Sequence, residues 1–316
     1  MVLNMPNNTK HSHDFIDPKV LARLGGLGLH ARLPMLGNVS GRHRSPIRGS
    51  SLEFAEYRKY VPGDDTRRMD WRAWGRSDRF YIKEYEADTN LRLCLIVDTS
   101  GSMNFAVNGV SKLDTLRSLA GTLAYLCAHQ GDAVGLYCAG KEFHTEIRPK
   151  RNARHLRVVL DQLADIKAVG QTGLAEALHR AAESIRQRAL IVVLSDLFIE
   201  PEILNSCFQH LRFRKHDVAV FHLLDQTEID FAFDRPTRFL DLEGGAPIMT
   251  DPNLVGKQYH QALAGYLADL QTVMREAAVD YQRVNLGVPV EDILARFLVG
   301  RKHQNDAGHG TRVQAR

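Results

Sequence analysis

The chain has 316 residues, of which 44% are hydrophobic and 25% are charged, values that are ordinary for a globular protein. Its 41 Lys and Arg residues against 37 Asp and Glu residues give a net charge of +4, too small to require a nucleic-acid partner. The four cysteines form no CxxC pair, which is typical of a reduced compartment. No apolar run approaches the roughly 18 residues that span a bilayer, and no signal-peptide core is present, so we expect a cytoplasmic protein.

Residues 1–40 are predicted to form a flexible tail and one short helix. Residues 1 to about 15 are polar and Asn-rich, without hydrophobic periodicity. Asp17 and Pro18 mark the start of the helix, as its N-cap and its first-turn residue. The basic, Gly/Ser-rich residues 37–50 could contact phosphate or an acidic partner, although a solvated loop is favoured.

The segment 41–90 is predicted to pack on the core as an apron that contains β-structure, with a strand near residues 79–86. Both tryptophans of the chain lie here, three residues apart, among arginines and aspartates. Because an Arg side chain can stack on an indole while it pairs with a carboxylate, this stretch is a candidate partner-binding surface. The candidate residues are Arg67, Trp71, Arg72 and Trp74. Packing against the sheet is the alternative, and it is favoured.

The most informative stretch is residues 91–103, LRLCLIVDTSGSM. Its apolar run predicts a strand that is buried on both faces and ends at Asp98. Ser100 and Ser102 follow at alternate positions, and Gly101 between them leaves the approach open. Three oxygens on one loop at the carboxyl end of a strand can converge on a hard cation. A Ser-rich turn that only caps a helix remains the alternative.

Two later positions extend this pattern. Thr172 lies in the turn Gly170–Gly173 that opens a helix. A second apolar strand, residues 189–194, ends in Ser195 and Asp196. Between these features the sequence predicts helices over 113–129, 153–166 and 174–188 and a hairpin of strands over 132–139 and 141–147.

Beyond Asp196 the sequence predicts a helix over 201–213, a strand over 217–224 and an edge strand over 237–242. Asp225 is a weak site candidate, since an Asp at a strand tip more often caps the next turn. A long helix over about 252–281 and a short one over 290–299 complete the pattern. We therefore expect an α/β fold with a doubly wound, mostly parallel sheet flanked by helices. The expected parts are the apron, a core domain over 91–245, C-terminal helices over 246–302 and a loose tail over 303–316.

The combination of DxSxS, Thr and Asp at the ends of α/β elements resembles the metal-ion-dependent adhesion site of von Willebrand factor A-like domains, over about residues 91–242. All five positions match: Asp98, Ser100, Ser102, Thr172 and Asp196. The resemblance implies a bound Mg²⁺, with Mn²⁺ or Ca²⁺ as alternatives. Because three of these ligands are neutral hydroxyls, the ion would remain under-neutralised, and an Asp or Glu of another protein could complete its shell.

A second pattern, F-x-x-x-R-x-Y-x-x-G-D-D-x-R-x-x-D-W, begins at Phe54 and ends at Trp71. Together with the DxSxS strand it resembles the bacterial domain-of-unknown-function family fifty-eight, over about residues 40–300. The resemblance implies a von Willebrand A-like adaptor that works beside a MoxR-type AAA+ ATPase. Many members of that family carry membrane spans, whereas this sequence resembles the compact, soluble type.

Two other functions fit parts of the site. An aspartyl-phosphate phosphatase also has an Asp at a strand tip, but it usually carries a second Asp two residues later as the acid, where this chain has Ser100. No G-x-S-x-G elbow and no GxxxxGK[ST] loop is present, so a non-enzymatic protein is expected. A purely structural domain without metal is the other alternative.

Overall fold

The computed structural model describes residues 13–32, 43–45, 53–59, 81–89, 91–107, 109–141, 145–233 and 235–310. Helix α1 (Pro18–Leu24) begins as predicted, because the Asp17 side chain accepts a hydrogen bond from the Lys19 backbone N–H. Strands β1 (His43–Ser45), β2 (Glu53–Lys59) and β3 (Tyr81–Thr89) form an antiparallel sheet in the order β1-β3-β2. The predicted β-structure of residues 41–90 is therefore present. Arg67, Trp71, Arg72 and Trp74 lie outside the described residues.

The centre of the fold is a six-stranded sheet. Its strands are β4 (Arg92–Asp98), β7 (Ala133–Ala139), β8 (Glu146–Lys150), β9 (Leu190–Ser195), β10 (Asp217–Leu224) and β13 (Asp280–Asn285). Their order is β13-β10-β9-β4-β7-β8, and every neighbouring pair is parallel except β7 with β8. A short hairpin of β5 (Ala106–Val107) and β6 (Val110–Ser111) follows β4. The predicted mostly parallel α/β sheet is confirmed.

Helices cover both faces of this sheet, because its central strands are apolar on both sides. Along β4, Leu93, Leu95 and Val97 face one hydrophobic cluster, whereas Cys94 and Ile96 face the other. The helices that bury residues in the first cluster are α1, α2 (Lys112–His129), α3 (Ala153–Asp165) and α8 (Val290–Gly310). The second cluster includes residues of α4 (Leu174–Ser184), α5 (Pro201–Phe213) and α7 (Pro252–Glu276).

Three C-terminal predictions are wrong. The long helix ends at Glu276 instead of continuing to residue 281, since Ala278 adopts a left-handed φ of 55° and Asp280–Asn285 then joins the sheet beside β10. The predicted edge strand is β11 (Thr237–Phe239), which pairs with β12 (Ile248–Thr250) in a separate two-stranded sheet. The last helix continues past residue 299 to Gly310. The core sheet thus includes residues beyond the predicted 91–245 domain.

No helix in the part of the chain that the structure describes is both long and apolar enough to cross a membrane.

Most other predicted elements are present with shifts of a few residues at their ends. The predicted strand over 141–147 is displaced to Glu146–Lys150 but still pairs antiparallel with β7, as the hairpin prediction requires.

We expect His216, directly before β10, to make the stability of the fold sensitive to acid. Burial, and secondarily the charges of Arg214 and Arg188, lower the pKa of His216 to about 4. Its Nδ1 accepts a hydrogen bond from the Ala189 backbone N–H, an interaction that suits the neutral ring. Below pH 6.5 the unfolded chain binds a proton that the folded ring refuses, so stability contributed above pH 6.5 is lost as the pH falls towards 4.

We therefore expect His216→Gln to reduce the acid sensitivity of the fold. Between pH 7 and pH 5 the free energy of unfolding of the wild type should fall by about 1 kcal/mol more than that of the variant. Urea unfolding at both pH values measures the difference. The matched control is the exposed His260→Gln, which should behave like wild type; equal pH dependence of wild type and His216→Gln would contradict the prediction.

Candidate metal centre

The predicted site residues lie where the two halves of the sheet diverge. Within the sheet, the next strand in the chain after β4 is β7, which lies on one side of β4. The later strand β9 lies on the other side of β4. Asp98 ends β4, and Ser195 ends β9 with Asp196 directly after it. The crevice at the carboxyl ends of two such strands is the usual ligand position in open α/β sheets.

The Asp98 carboxylate is the centre of a hydrogen-bond network that joins three separate segments. One oxygen, Oδ1, accepts from the Ser100 backbone N–H at 2.9 Å. The other, Oδ2, accepts from the Thr172 hydroxyl at 3.2 Å and from the Ser195 hydroxyl at 2.6 Å. Asp98 is 1% exposed, whereas Ser102 and Thr172 are only partly buried, so the carboxylate is shielded from solvent and the two hydroxyl-bearing residues are within reach of solvent. The structure therefore brings Thr172 to the loop that follows β4, as the sequence predicts.

The two serine hydroxyls of the DxSxS loop also converge. The Oγ atoms of Ser100 and Ser102 are 2.9 Å apart. The loop is tied to the turn before α4, because the Gly101 N–H donates to the Gly170 carbonyl at 2.8 Å. These contacts hold four of the five predicted positions, Asp98, Ser100, Ser102 and Thr172, around one point at the carboxyl end of β4.

Gly101 has a different role from the one that the sequence suggests. A Cβ atom at this position would lie 1.9 Å from the backbone oxygen of Leu242. The segment after β11 therefore crosses directly over the DxSxS loop, and glycine is required for this close approach. The space that a side chain would fill is occupied by the backbone of Leu242, and is not left open.

Asp196 supplies the second carboxylate of the site, and it is 2% exposed. Burial first, and then the nearby charge of Asp196, raise the pKa of Asp98 from 3.8 to about 6; hydrogen bonds from Ser195 and Ser100 oppose this rise. A raised carboxyl pKa means that negative charge at this point is under-compensated within the chain. A cation beside Asp98 would relieve that cost.

Two side chains that contact the predicted residues were not predicted. Ser195 donates to Asp98 and accepts from the Leu197 backbone N–H at 2.9 Å. Lys112 is fully buried and donates to Asp196 Oδ2 at 3.0 Å. The position of Ser195 beside Asp196 was a usable signal, whereas a lysine that begins an apolar helix gives no indication of its distant partner.

Asp225 is not a site residue in this structure. Its side chain accepts from the Thr227 backbone N–H at 2.8 Å, and Glu228 reaches back to the Asp225 N–H. Asp225 is therefore the N-cap of the short helix α6 (Gln226–Asp230), in the capping-box arrangement. The capping role that the sequence favoured is confirmed.

The donor set fits a hard divalent cation. Within the described residues, no three His, Cys, Asp or Glu side chains come together as a metal site. The oxygens gathered here are instead two carboxylates and the hydroxyls of serine and threonine. Oxygen-only donors of this kind suit Mg²⁺, Mn²⁺ or Ca²⁺ and not the softer transition metals.

Comparison with known protein families assigns the chain to one of them. The model of a family described as "Protein of unknown function DUF58" matches residues 56–265, more than half of the sequence. The chain belongs to the DUF58 family. Among the relatives of this DUF58 protein are uncharacterized proteins of Mycobacterium bovis and Mycobacterium tuberculosis. Each is 27% identical over 301 residues, which cover 94% of this chain and 94% of the relative.

Solved structures with a similar chain path were also found. BatB of Bacteroides thetaiotaomicron is 16% identical with a TM-score of 0.44, over 68% of this DUF58 protein and 100% of BatB. The VWA domain of SpRpn10 is 10% identical with a TM-score of 0.40, over 65% of this chain and 94% of that domain.

Proposed function

We propose that this DUF58 protein is a non-enzymatic adaptor that binds another protein through a divalent metal ion. The observation that carries the proposal is the hydrogen bond from Thr172 to Asp98, two residues that are 74 positions apart in the chain. It supports a single site built from the DxSxS loop, the turn before α4 and the end of β9. Asp98, Ser100, Ser102, Thr172 and Asp196 would hold Mg²⁺, or alternatively Mn²⁺ or Ca²⁺.

The charge of the site decides what such an ion would do. Three of the five residues are neutral hydroxyls, and Asp196 is already paired with Lys112. These five residues would therefore compensate the charge of a divalent ion only in part, and a carboxylate from another protein would bind it strongly. This chemistry is that of a docking point: the chain orients the ion, and the partner supplies the last acidic ligand.

The proposed partner is a MoxR-type AAA+ ATPase or the client protein on which it acts. This part of the proposal rests on the resemblance of the DxSxS strand and the upstream Phe54–Trp71 pattern to family members that occur beside such ATPases. Arg67, Trp71, Arg72 and Trp74 remain candidates for a second contact surface with the same partner.

The experiment compares binding of the purified MoxR-type ATPase of the same organism to wild type and to Ser100→Ala/Ser102→Ala. We expect retention of the ATPase in Mg²⁺, release in EDTA, and at least about tenfold weaker retention by the double variant. Ser206→Ala, on the exposed side of α5, is the matched control and should retain the ATPase fully.

Two results would contradict the proposal. Equal retention by wild type and the double variant would separate partner binding from the metal site. Release of phosphate from phosphorylated substrates by the purified protein, lost in the double variant, would favour the phosphatase alternative instead.

A further inference from the structure

Lys112 is an internal cation that sits against the candidate metal centre. It is the first residue of α2, and it is fully buried. Its Nζ donates to Glu228 Oε1 at 2.7 Å and to Asp196 Oδ2 at 3.0 Å. The rings of Phe105 and Phe198 lie 5.4 Å and 5.1 Å from the same nitrogen. The ammonium group is therefore held between two carboxylates and two aromatic rings, away from water.

Nothing in helix α2 itself calls for a lysine at this position. A positive charge in the first turn is opposed by the helix dipole, and complete burial adds a large desolvation cost. The start of α2 is already satisfied by Ser111 and Asp114, whose side chains and backbone N–H groups form a reciprocal capping box. The placement of Lys112 is explained by the carboxylates that it contacts.

Those contacts compensate the negative charges of the two carboxylates of the site to different extents. Asp196 shares its charge with Lys112 at 3.0 Å. The hydrogen bonds to the Asp98 carboxylate, by contrast, come from neutral groups, namely the Ser100 N–H and the hydroxyls of Thr172 and Ser195. A cation entering the site would meet one uncompensated carboxylate, Asp98, and a second, Asp196, whose charge is partly compensated by an ammonium group that Glu228 shares.

We infer that Lys112 is a positioning residue that weakens the binding of a free divalent ion and makes occupation of the site depend on an incoming carboxylate. This inference rests on the proposed function and deepens it. Because the Lys112 ammonium lies beside Asp196, that carboxylate attracts a Mg²⁺ or Mn²⁺ ion less strongly, and an acidic side chain of the partner supplies the missing attraction. The site is then empty or weakly filled alone, and filled when the partner docks.

The inference is tested by removing the charge while keeping a long apolar chain in the same cavity. For Lys112→Met we expect Mn²⁺ affinity, measured by isothermal titration, to rise about tenfold or more over wild type, because one repulsive charge near the ion is lost. Excess acetate, as a stand-in carboxylate, should strengthen Mn²⁺ binding in wild type and have little effect in the variant. A role in folding alone would not change this acetate dependence.

A second variant tests the same inference in case Lys112→Met does not fold. Lys112→Met leaves Glu228 without its cation, so the double variant Lys112→Met/Glu228→Gln removes that buried charge as well. It should fold and still show the raised Mn²⁺ affinity. Glu228→Gln alone keeps the ammonium beside Asp196, and it should bind Mn²⁺ no more tightly than wild type.

The outcomes separate the two proposals. If wild type and all variants bind no Mn²⁺ even with acetate, the metal site itself is wrong, and this inference falls with it. If wild type binds Mn²⁺ through Ser100 and Ser102 but removal of Lys112 leaves the affinity unchanged or lower, the docking function stands and the role of Lys112 is overturned.

Discussion

Replacing Asp98 with Asn is expected to stabilise the protein without metal and to abolish its stabilisation by metal. At pH 7 the buried carboxylate is ionised although its pKa is raised to about 6, a state that costs the fold up to about 3 kcal/mol. Asn keeps the shape and can exchange hydrogen bonds with Ser100, Thr172 and Ser195. We expect the free energy of unfolding of Asp98→Asn in EDTA to exceed that of wild type by about 1–2 kcal/mol.

The sign of this effect depends on pH and on metal. Because the folded pKa is above the unfolded one, stability from protonated Asp98 is present below about pH 4 and is lost as the pH rises through 6. The advantage of Asp98→Asn should therefore vanish near pH 4. With excess Mg²⁺ at pH 7 the order should reverse, since a bound ion stabilises only the chain that can hold it.

Urea unfolding in EDTA and in Mg²⁺, at pH 4 and pH 7, measures all four conditions. The matched control is Asp269→Asn, an exposed residue of α7 that should follow wild type throughout. An Asp98→Asn protein that is less stable than wild type in EDTA at pH 7, or that is stabilised by Mg²⁺ to the same extent, would contradict the assignment of Asp98 as a charged metal ligand.

Sequence patterns predicted the parts of this fold whose signal is local. The strands β4 and β9 are continuous apolar runs, β10 is apolar after Asp217 except for His222, and α2 has leucines at helical spacing, so their positions follow from local patterns. Strand β13 was missed because an edge strand needs few apolar residues: in Asp280–Asn285 only Val284 is buried. The left-handed turn at Ala278 that ends α7 has no signature in the residue itself.

The residues of the candidate site can likewise be separated into those that local sequence patterns predict and those that they do not. Asp98, Asp196 and Thr172 were predicted because strand ends and Gly-containing turns are visible in the sequence. The carboxyl ends of neighbouring parallel strands then lie at the same end of the sheet. The position of Lys112 depends on Glu228, which lies 116 residues later in the chain. The requirement for glycine at position 101 depends on the backbone of Leu242, which passes over it. Contacts between distant segments such as these are set by tertiary packing, which no local pattern encodes.

Arg301 is the clearest example of such a contact. Arg301 lies two residues before the predicted loose tail over 303–316, yet it is 1% exposed within α8. Its guanidinium donates to Asp217 at 2.8 Å, to Asp280 at 3.1 Å and to the His30 carbonyl at 2.9 Å. It therefore ties the start of two strands to the N-terminal segment that follows α1.

Removing this side chain is expected to destabilise the fold strongly. Burial alone would raise the pKa of Asp217, but Arg301 and Arg32 hold it below its usual range. Arg301→Met leaves that buried carboxylate with Arg32 as its described ion-pair partner, and breaking a buried pair from one side costs about 3–5 kcal/mol. We expect a loss of this size in urea unfolding at pH 7, where Asp217 is ionised.

Two further variants show whether the loss comes from the uncompensated charge. Arg296→Ala, on the exposed side of the same helix, should cost less than about 1 kcal/mol. Arg301→Met/Asp217→Asn removes both charges and should recover part of the lost stability, because a neutral amide is far cheaper to bury than an unpaired carboxylate. A double variant as unstable as Arg301→Met would mean that packing of the arginine stem, and not its charge, holds α8 against the sheet.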